Sequence, residues 1–385
     1  MIPYGRQNIS QEDIDSVIDV LRSDFLTQGP KVPEFEKIIS NYCKSSYAVA
    51  LNSATSALHI SCLALGLGKG DWLWTSPNTF VASVNCAIYC GAKVDFVDIN
   101  QNTYNLCPNE LEKKLIKAEK DGTLPKIVVA VHFAGQSCDM TKICALSKKY
   151  NFKIIEDASH AIGGKYNNKL IGNCLYSDIT VFSFHPVKII TSGEGGMALT
   201  NDKVLAEKIS LLRSHGITRD TNKMIGVPDG PWFYQQIDLG FNYRMTDIQA
   251  SLGISQMNKI DDFIATRHNI ALKYDESLND LPLILPMQEK FNYSSFHLYP
   301  IKINLDKIGK SLLDVFESMQ NSGIGVNKHY IPAYRHPFFS HFGFRDDYCK
   351  EAKRYYEQSI SLPIYPGLNL MQQTKVIDSL KKAIS

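Results

Sequence analysis

The sequence lacks the features that mark membrane, secreted and dinucleotide-binding proteins. No apolar run approaches the roughly 20 residues of a membrane-spanning helix, and the segment from Met1 to Asn8 has no charged stretch leading into an apolar one. A Gly-x-Gly-x-x-Gly fingerprint after the first predicted strand is also missing, which argues against a dinucleotide-binding fold. There is no low-complexity tract and no internal repeat. We therefore expect a globular protein of the cytoplasm.

An excess of charge of one sign is absent as well. The chain has 41 Lys and Arg residues against 39 Asp and Glu residues, a formal net charge of +2, and the two signs are interspersed. Nucleic acids and anionic membranes attract clustered positive charge, so we expect neither of them as a partner. An anionic ligand would have to be held by a local site.

Nine cysteines are scattered from Cys43 to Cys349 without a Cys-x-x-Cys pair. An odd number without regular spacing is typical of reduced thiols in a cytosolic protein rather than of a disulfide framework. Cys86 and Cys90 lie four residues apart on a predicted helix, but no second pair of His or Cys residues stands out as metal ligands. We interpret both as small buried side chains and expect no metal site.

The first two thirds of the chain alternates strand-like and helix-like segments. Strands are predicted at 47–51, 72–75, 93–97, 127–131, 153–156, 179–184 and 197–200, and helices at 55–65, 79–89, 109–120, 139–150 and 203–213. Strands that are apolar along their whole length and alternate with helices indicate a mostly parallel sheet covered by helices on both faces. Ligands of such α/β sheets bind at the carboxyl ends of the strands.

The pattern changes after Thr246. One long helix is predicted from Thr246 to Leu278, followed by a Pro-rich junction and a smaller α+β region. With 385 residues, 44% of them hydrophobic, the chain can bury more than one core. We place the domain boundary inside the long helix: residues 1–250 form a large domain, whose N-terminal segment could pack on the small domain, and residues 251–385 form the small domain.

Lys188 is a lone amine in the largely apolar run 181–190, which precedes the Gly-rich segment 193–196. Burial disfavours the charged form, so the pKa of such a lysine falls and its free amine becomes available as a nucleophile. An arbitrary lysine more often extends its charged end to water. Here we favour a nucleophilic role for Lys188, because other residues needed for one particular chemistry lie at matching places along the chain.

Two polar residues lie at or just past the end of the predicted strand 153–156. Asp157 is a candidate partner for a pyridine nitrogen, because a carboxylate there keeps the nitrogen protonated and lets the ring accept electrons; a helix N-cap is an equally common role for such an Asp. His160 follows shortly after, although a lone histidine is more often structural. Both residues would lie where a parallel sheet places a ligand.

Segment 52–58, Asn-Ser-Ala-Thr-Ser-Ala-Leu, follows the first strand and opens a helix. Small residues let the backbone approach a ligand, and the free N–H groups of a helix start favour a phosphate. An ordinary strand-to-helix turn that is capped by Ser or Thr would show the same sequence pattern. Phe80 also follows a strand and could stack on a flat ring, although most Phe residues are core.

Together these stretches resemble the fold-type I pyridoxal phosphate (PLP) enzymes and, more closely, the DegT/DnrJ-type nucleotide-sugar aminotransferases. The resemblance covers nearly the whole chain, in the stretches 26–30, 52–58, 156–161, 183–188, 193–196, 213–216 and 240–245. It implies an α/β fold with a mostly parallel central sheet covered by helices and a smaller C-terminal α+β domain. Stretches 295–300 and 360–363 bring the chain nearest to the members of the family that serve pseudaminic acid biosynthesis.

The resemblance also implies roles for individual residues. Lys188 would carry PLP covalently and move the proton during transfer. Asp157 would pair with the pyridine nitrogen, Phe80 would stack on the ring, and His160 would lie near the ring hydroxyl. The next group of residues would hold the cofactor phosphate: Ala54, Thr55, Ser183 and, reaching in from a second subunit, Asn242.

The reaction implied by the resemblance moves an amino group from glutamate to a UDP-linked 4-keto-6-deoxy-N-acetylhexosamine in a homodimer with shared active sites. His329 and Tyr330 match a region near the sugar nucleotide, or they are packing or interface residues. Amination of another nucleotide-linked keto sugar, of the perosamine or bacillosamine type or at C3, stays open. A non-catalytic sensor on this fold would be expected to lose Lys188, Asp157 or the phosphate-binding residues, and a sister group of dehydratases has histidine in place of Lys188.

Overall fold

A seven-stranded sheet forms the centre of the structure, a computed structural model that describes all 385 residues. The strands of the chain are β1 Tyr47–Leu51, β2 Trp72–Thr75, β3 Lys93–Phe96, β4 Ile127–Val131, β5 Lys153–Asp157, β6 Lys165–Tyr166, β7 Lys169–Leu170, β8 Ile179–Ser183, β9 Gly196–Thr200, β10 Ile217–Thr218, β11 Gln235–Gln236, β12 Leu283–Ile284, β13 Asn292–Tyr293, β14 Tyr299–Ile303 and β15 Ser359–Leu362. The central sheet has the order β1-β9-β8-β5-β4-β2-β3, and β6, β7 and β10 to β15 form three smaller sheets.

The helices follow the alternation that the sequence predicts. They are α1 Gln11–Leu21, α2 Lys31–Cys43, α3 Ala54–Ala64, α4 Ala82–Tyr89, α5 Pro108–Asp121, α6 Met140–Tyr150, α7 Lys203–Arg213, α8 Asp247–Met257, α9 Ile260–Leu278, α10 Leu305–Ile308, α11 Leu312–Asn321, α12 Lys350–Gln358 and α13 Leu370–Ile384. Short 3-10 turns occupy Phe133–Gly135, Thr221–Lys223, Ala333–Arg335 and Pro337–Phe342.

The central sheet is mostly parallel, as predicted. β3, β2, β4, β5 and β8 pair in parallel, whereas β9 is antiparallel to both of its neighbours, β8 and β1. Every residue of β4, β8 and β9 is buried. Such strands have to be covered on both faces, because either face left in water would expose large apolar side chains.

Helices cover the two faces through separate cores. Ile155 packs in a core with residues of α3, α4 and α7, whereas the adjacent Ile154 points to the opposite face and packs with residues of α5 and α6. Towards β8 and β9 that second face is covered by α2, α8 and the start of α9. Successive side chains of a strand point to opposite faces, so the continuous apolar runs serve both layers.

The predicted helix from Thr246 to Leu278 is wrong in one respect. It is two helices, α8 and α9, separated by Asn258 and Lys259. Lys259 has φ −113° and ψ 2°, outside helical geometry. Its Nζ lies 2.6 Å from the Asp13 carboxylate, and Met257 and Ile260, one on each side of the break, pack in the same core. Tertiary contacts thus override the helical propensity of this stretch.

A further core lies away from the central sheet. It contains β14 and β15, α11, α13, the second half of α9 and, from the N-terminus, Ile2. The backbone of Ile2 pairs with this region, donating its N–H to Gly323 O and accepting from Gly325 N. The division at residue 250 stays a prediction; membership of the buried clusters changes within α9, between Ile264 and Ile270.

All nine cysteines are free thiols. Cys86 is buried as predicted, and Cys90 is only half-buried. No group of three or more His, Cys, Asp or Glu side chains is arranged to hold a metal ion. None of the helices is both long and apolar enough to cross a membrane.

A buried carboxylate fastens α1 to α8. Asp13, fully buried, accepts hydrogen bonds from Ser255 Oγ at 2.6 Å, Gln256 Nε2 at 2.7 Å and Lys259 Nζ at 2.6 Å. Burial raises the pKa of Asp13, but the lysine, the two other side chains and the backbone N–H of Ser10 together outweigh burial and lower it. The ionised form therefore belongs to the folded state.

We expect Asp13→Asn to lower the free energy of unfolding by about 2–3 kcal/mol, because it leaves the Lys259 ammonium without its partner. A pKa lowered by folding stabilises the native state above the ordinary pKa and loses that contribution as the pH falls through the folded value. The variant should therefore lose less stability than the native chain between neutral and acid pH. Urea denaturation at both pH values measures this; Asp19→Asn, an exposed change on the same helix, is the control. Equal midpoints for both variants would contradict the role of Asp13.

Candidate active site

A cavity of about 820 Å³ opens at the carboxyl ends of β4, β5 and β8. Val131, Asp157 and Ser183, the last residues of these three strands, line it. The cavity brings together all but one of the residues predicted for the site: Ala54, Thr55, Phe80, Asp157, His160, Ser183, Lys188, His329 and Tyr330. The predicted position at the strand ends is therefore the position of a real concave site.

Lys188 lies in the loop between β8 and β9 and faces the cavity half-buried. Its backbone N–H donates to His185 O at 2.9 Å. Burial lowers the pKa of the Lys188 amine to about 8, and the negative charge of Asp157 opposes this shift. About a tenth of the amine is thus unprotonated at pH 7, far more than for a lysine with the ordinary pKa of about 10.4, and the unprotonated amine is the nucleophile.

The Asp157 carboxylate is held by three donors. Ser159 donates to Oδ1 from its backbone N–H at 3.1 Å and from its hydroxyl at 2.6 Å. Ser83 Oγ donates to Oδ2 at 2.5 Å. No ion pair with a lysine or arginine side chain forms within 4.0 Å of this carboxylate, which is 6% exposed. The carboxylate is therefore held in one orientation and can pair with a cationic group that binds in the cavity.

His160 is buried between the strand ends and the C-terminal part of the chain. Its Nδ1 accepts from the backbone N–H of Ala134 at 3.3 Å, which places the ring proton on Nε2, 3.2 Å from Tyr330 Oη. The ring of His297 lies 4.3 Å from it. Burial, with a smaller contribution from the charge of Lys188, lowers the pKa of His160 well below its ordinary value. His160 is a neutral imidazole that donates to Tyr330.

The first turn of α3 offers two unused donors to the cavity. Ser53 caps this helix by accepting from Ser56 N, whereas the backbone N–H groups of Ala54 and Thr55 donate to no protein atom. Free N–H groups and the helix dipole make a helix start a site for an anion.

A glycine keeps this helix start in place. A Cβ atom on Gly196, the first residue of β9, would lie 2.4 Å from the carbonyl carbon and oxygen of Ser53 and 2.5 Å from Ala54 N. Only glycine lets the strand pass so close to the α3 backbone.

Phe80 and Ser183 stand at the mouth and the floor of the cavity. Phe80 is 60% exposed, so it is not a core residue, and its ring centroid lies 6.4 Å from that of Tyr330. Ser183, at the end of β8, is buried, and its Oγ is 3.4 Å from the backbone N–H of His185. Both side chains line the cavity.

His329 and Tyr330 form the wall that the C-terminal part of the chain contributes. His329 Nδ1 lies 2.9 Å from Ser361 Oγ, and its ring is 5.1 Å from that of Tyr4. Burial, with a smaller contribution from Lys188, lowers the pKa of His329 to about 3. Burial also raises the pKa of Tyr330 above its ordinary range. Both side chains are therefore uncharged hydrogen-bonding groups.

Asn242 is the predicted site residue that the cavity does not include. It is exposed and forms an isolated backbone bridge with Ser214. Within one chain it has no part in the site, so its predicted role depends on a second copy.

Sequence reasoning missed other residues of the cavity, among them Tyr4, Thr79, His185, Glu194 and Lys328, and also Ser83 behind the wall. Thr79 and Ser83 are spaced four residues apart, which is a helical neighbour spacing, but nothing in the sequence identifies Asp157 as their partner. Tyr4 and Lys328 come from distant segments whose approach only the fold reveals.

We expect Gly196→Ala to displace the start of α3 and to lower the free energy of unfolding by about 1–3 kcal/mol, because the new methyl group meets backbone atoms that cannot rotate away. Gly68→Ala is the control, since a Cβ there has no neighbour within 4 Å and the Gly68 backbone lies outside the left-handed region. Chemical denaturation of both variants measures the difference. Equal destabilisation by the two changes would contradict the close contact.

Comparison with known proteins agrees with this geometry. The model of the DegT/DnrJ/EryC1/StrS aminotransferase family matches residues 7–381. The chain is 39% identical over 381 residues to the UDP-4-amino-4,6-dideoxy-N-acetyl-β-L-altrosamine transaminase of Campylobacter jejuni, covering 99% of this chain and 96% of that protein. It is also 40% identical over 386 residues to an uncharacterised protein of Methanocaldococcus jannaschii, covering 100% of this chain and 98% of that one.

Two solved structures share the whole fold. Helicobacter pylori PseC, an aminotransferase involved in pseudaminic acid biosynthesis, superposes with a TM-score of 0.90 at 31% identity, covering 100% of this chain and 99% of its own. The PLP form of a sugar aminotransferase from Streptococcus pneumoniae gives a TM-score of 0.89 at 27% identity, covering 100% and 98%. The predicted fold class is therefore confirmed, and the chain belongs to the DegT/DnrJ/EryC1/StrS aminotransferase family as a PLP-dependent sugar aminotransferase.

Proposed function

We propose that this aminotransferase moves an amino group from glutamate to C4 of a UDP-linked 4-keto-6-deoxy-N-acetylhexosamine, UDP-2-acetamido-2,6-dideoxy-β-L-arabino-hex-4-ulose, in pseudaminic acid biosynthesis. The observation that carries the chemistry is the Lys188 amine, whose pKa burial lowers to about 8 in a cavity shared with Asp157. The sugar is supported by the names of the Campylobacter and Helicobacter relatives.

The residues of the cavity fit PLP. The free N–H groups of Ala54 and Thr55 suit its phosphate, with Ser183 as a further donor. The Asp157 carboxylate, which no cation neutralises, suits the protonated ring nitrogen. Phe80 would stack on the ring, His160 would lie beside the ring hydroxyl, and the Lys188 amine would attach the cofactor covalently.

When bound, PLP supplies an aldehyde that can carry an amino group and a ring that accepts electrons from the reacting carbon. Lys188 Nζ takes the proton from the α-carbon of glutamate and later delivers a proton to C4 of the sugar. Asp157 would keep the ring nitrogen protonated. His160, neutral and fixed by Ala134, orients the Tyr330 hydroxyl. His329 and Tyr330 would contact the sugar nucleotide and exclude water.

A homodimer with shared active sites is part of this proposal. Asn242 is exposed on one chain and lies outside the cavity of that chain. Reaching into the site of a second copy, its amide would add a donor to the cofactor phosphate. We also place the reaction in the cytoplasm, in keeping with nine free cysteines.

Amination of a different nucleotide-linked keto sugar, of the perosamine or bacillosamine type or at C3, is the second candidate. It is favoured by 35% identity over 386 residues to the spore coat polysaccharide biosynthesis protein SpsC of Bacillus subtilis. The groups that carry out the transfer, Lys188 and Asp157, would be the same, so only the acceptor distinguishes the two.

Lys188→Ala should abolish turnover and the visible absorbance of covalently bound PLP while leaving the unfolding midpoint close to that of the native chain. The change removes the cavity amine that is placed for attachment, and the other lysine of the cavity, Lys328, has its amine bound to Tyr356 O. Lys169→Ala, which alters an exposed lysine, serves as the control and should keep both properties. Sustained turnover by Lys188→Ala would disprove the assignment.

The rate at which PLP attaches to the cofactor-free protein should rise with pH up to about 8 and level off above it. The free amine is the reactive form and exists above the pKa, so a lowered pKa moves the rise to lower pH. For an ordinary lysine, such as Nα-acetyl-lysine in solution, the rate keeps rising up to about pH 10.4. Stopped-flow absorbance measures both. A protein profile that follows the free amino acid would contradict the burial of Lys188.

The acceptor can be tested by absorbance. The PLP form is converted with glutamate, the glutamate is removed, and UDP-4-keto-6-deoxy-N-acetylhexosamines of both C5 configurations are titrated separately. We expect the absorbance of PLP to return with the L-arabino ketone alone. Return with another keto sugar instead would leave the aminotransferase in place and replace the substrate.

A further inference from the structure

We propose that Ser83 is a positioning residue for Asp157. Its hydroxyl, which receives a hydrogen bond from Thr79, fixes the orientation of the carboxylate that faces the cofactor ring. The inference rests on the pairing of Asp157 with the ring nitrogen given under the proposed function. The inference adds two hydroxyl groups to the site, that of Ser83 in α4 and that of Thr79 in the preceding turn. No sequence pattern connected either of them to Asp157.

The three side chains form one buried chain of hydrogen bonds. Thr79 Oγ1 lies 2.7 Å from Ser83 Oγ, and Ser83 Oγ lies 2.5 Å from Asp157 Oδ2. Their exposed fractions are 2%, 0% and 6%. Water therefore has little access to these groups and cannot easily replace either hydrogen bond. A buried polar group that loses its partner lowers the free energy of unfolding.

The direction of the donors follows from the charge at the end of the chain. A carboxylate oxygen accepts hydrogen bonds, so Ser83 Oγ donates to Asp157 Oδ2. The Ser83 oxygen then accepts from the Thr79 hydroxyl. Each hydroxyl that accepts a hydrogen bond becomes a stronger donor, so Thr79 strengthens the bond from Ser83 to the carboxylate.

Ser83 holds the oxygen that Ser159 does not reach. Both bonds from Ser159 end on Oδ1 and come from the residue two positions after Asp157 itself, so they move with β5. The bond to Oδ2 comes from the first turn of α4, an element on another wall of the cavity. Without Ser83 only the two bonds to Oδ1 remain, so the carboxylate can rotate about its Cβ–Cγ bond and its direction toward the ring N–H is no longer fixed.

The test compares Ser83→Ala with the native protein by two measurements. The first is the equilibrium dissociation constant for PLP, which should rise about tenfold, the usual effect of losing a hydrogen bond to a charged group. The second is the pH dependence of the visible absorbance of bound PLP. Its midpoint should shift in the same direction as in Asp157→Asn and by a smaller amount.

Two further variants separate positioning from general damage. Ser61→Ala removes a buried hydroxyl that has no hydrogen-bond partner, and it should leave both measurements unchanged. Thr79→Val keeps the bond from Ser83 to Asp157 and should give a shift of the same sign that is smaller than that of Ser83→Ala. A larger effect of Thr79→Val would overturn the proposed order of donors.

Asp157→Asn distinguishes failure of this inference from failure of the proposed function. If Asp157→Asn changes both measurements and Ser83→Ala changes neither, the positioning role of Ser83 is wrong and the role of Asp157 stands. If Asp157→Asn changes neither, Asp157 does not pair with the ring nitrogen and both proposals fall. A midpoint for Ser83→Ala that moves opposite to Asp157→Asn would also overturn the inference.

Discussion

The desolvation of one amine is the constraint on which the rest of the site depends. Lys188 can act as a nucleophile because burial lowers its pKa to about 8, while the Asp157 carboxylate limits how far it falls. This balance needs walls on several sides. The strand ends β4, β5 and β8 provide the floor, α3 and the turn before α4 provide one side, and the segment with His329 and Tyr330 provides another. The parallel sheet matters to function because its strand ends bring the amine and the carboxylate into one enclosed space.

Apart from Lys188, the surroundings of the Asp157 carboxylate carry little positive charge. Burial lowers the pKa values of His160, His297 and His329, so none of these rings adds a positive charge at neutral pH. Lys328 also lines the cavity, but its amine is bound to Tyr356 O and lies over the Tyr356 ring. Asp157 is held by serine and backbone donors rather than by a cation. An uncompensated carboxylate in a poorly solvated site attracts a protonated nitrogen strongly, which is the electrostatic match that a pyridinium ring requires.

The sequence predicts the parts that local pattern determines and misses the parts that distant contacts determine. Strands such as 127–131 follow from continuous apolar runs. The positions of Asp157 at the end of β5 and of Lys188 in the loop after β8 follow from those runs and their flanking polar residues. The break at Lys259 was missed because a contact with Asp13, far away in sequence, decides it. Ser83 was missed for the same reason: as a serine in a helix it is unremarkable until the fold places it 2.5 Å from Asp157. The similarity of the chain to its family supplied roles, such as that of Asn242, which the geometry of one chain does not test.

Helix α9 joins the core that covers β8 and β9 to the C-terminal core around β14 and β15. This connection affects the walls of the cavity. Ile264 packs with the sheet and Ile270 with the C-terminal core, and between them the buried Arg267 donates to Phe296 O at 3.1 Å and Ile364 O at 2.9 Å. The segment next to Phe296 reaches the site directly, because Ser295 Oγ donates to His160 O at 2.8 Å and His297 packs on the His160 ring. His160 in turn holds Tyr330. A shift of the C-terminal core would therefore move the Tyr330 wall and the His160 backbone together, so the solvation of Lys188 depends on how both cores are packed.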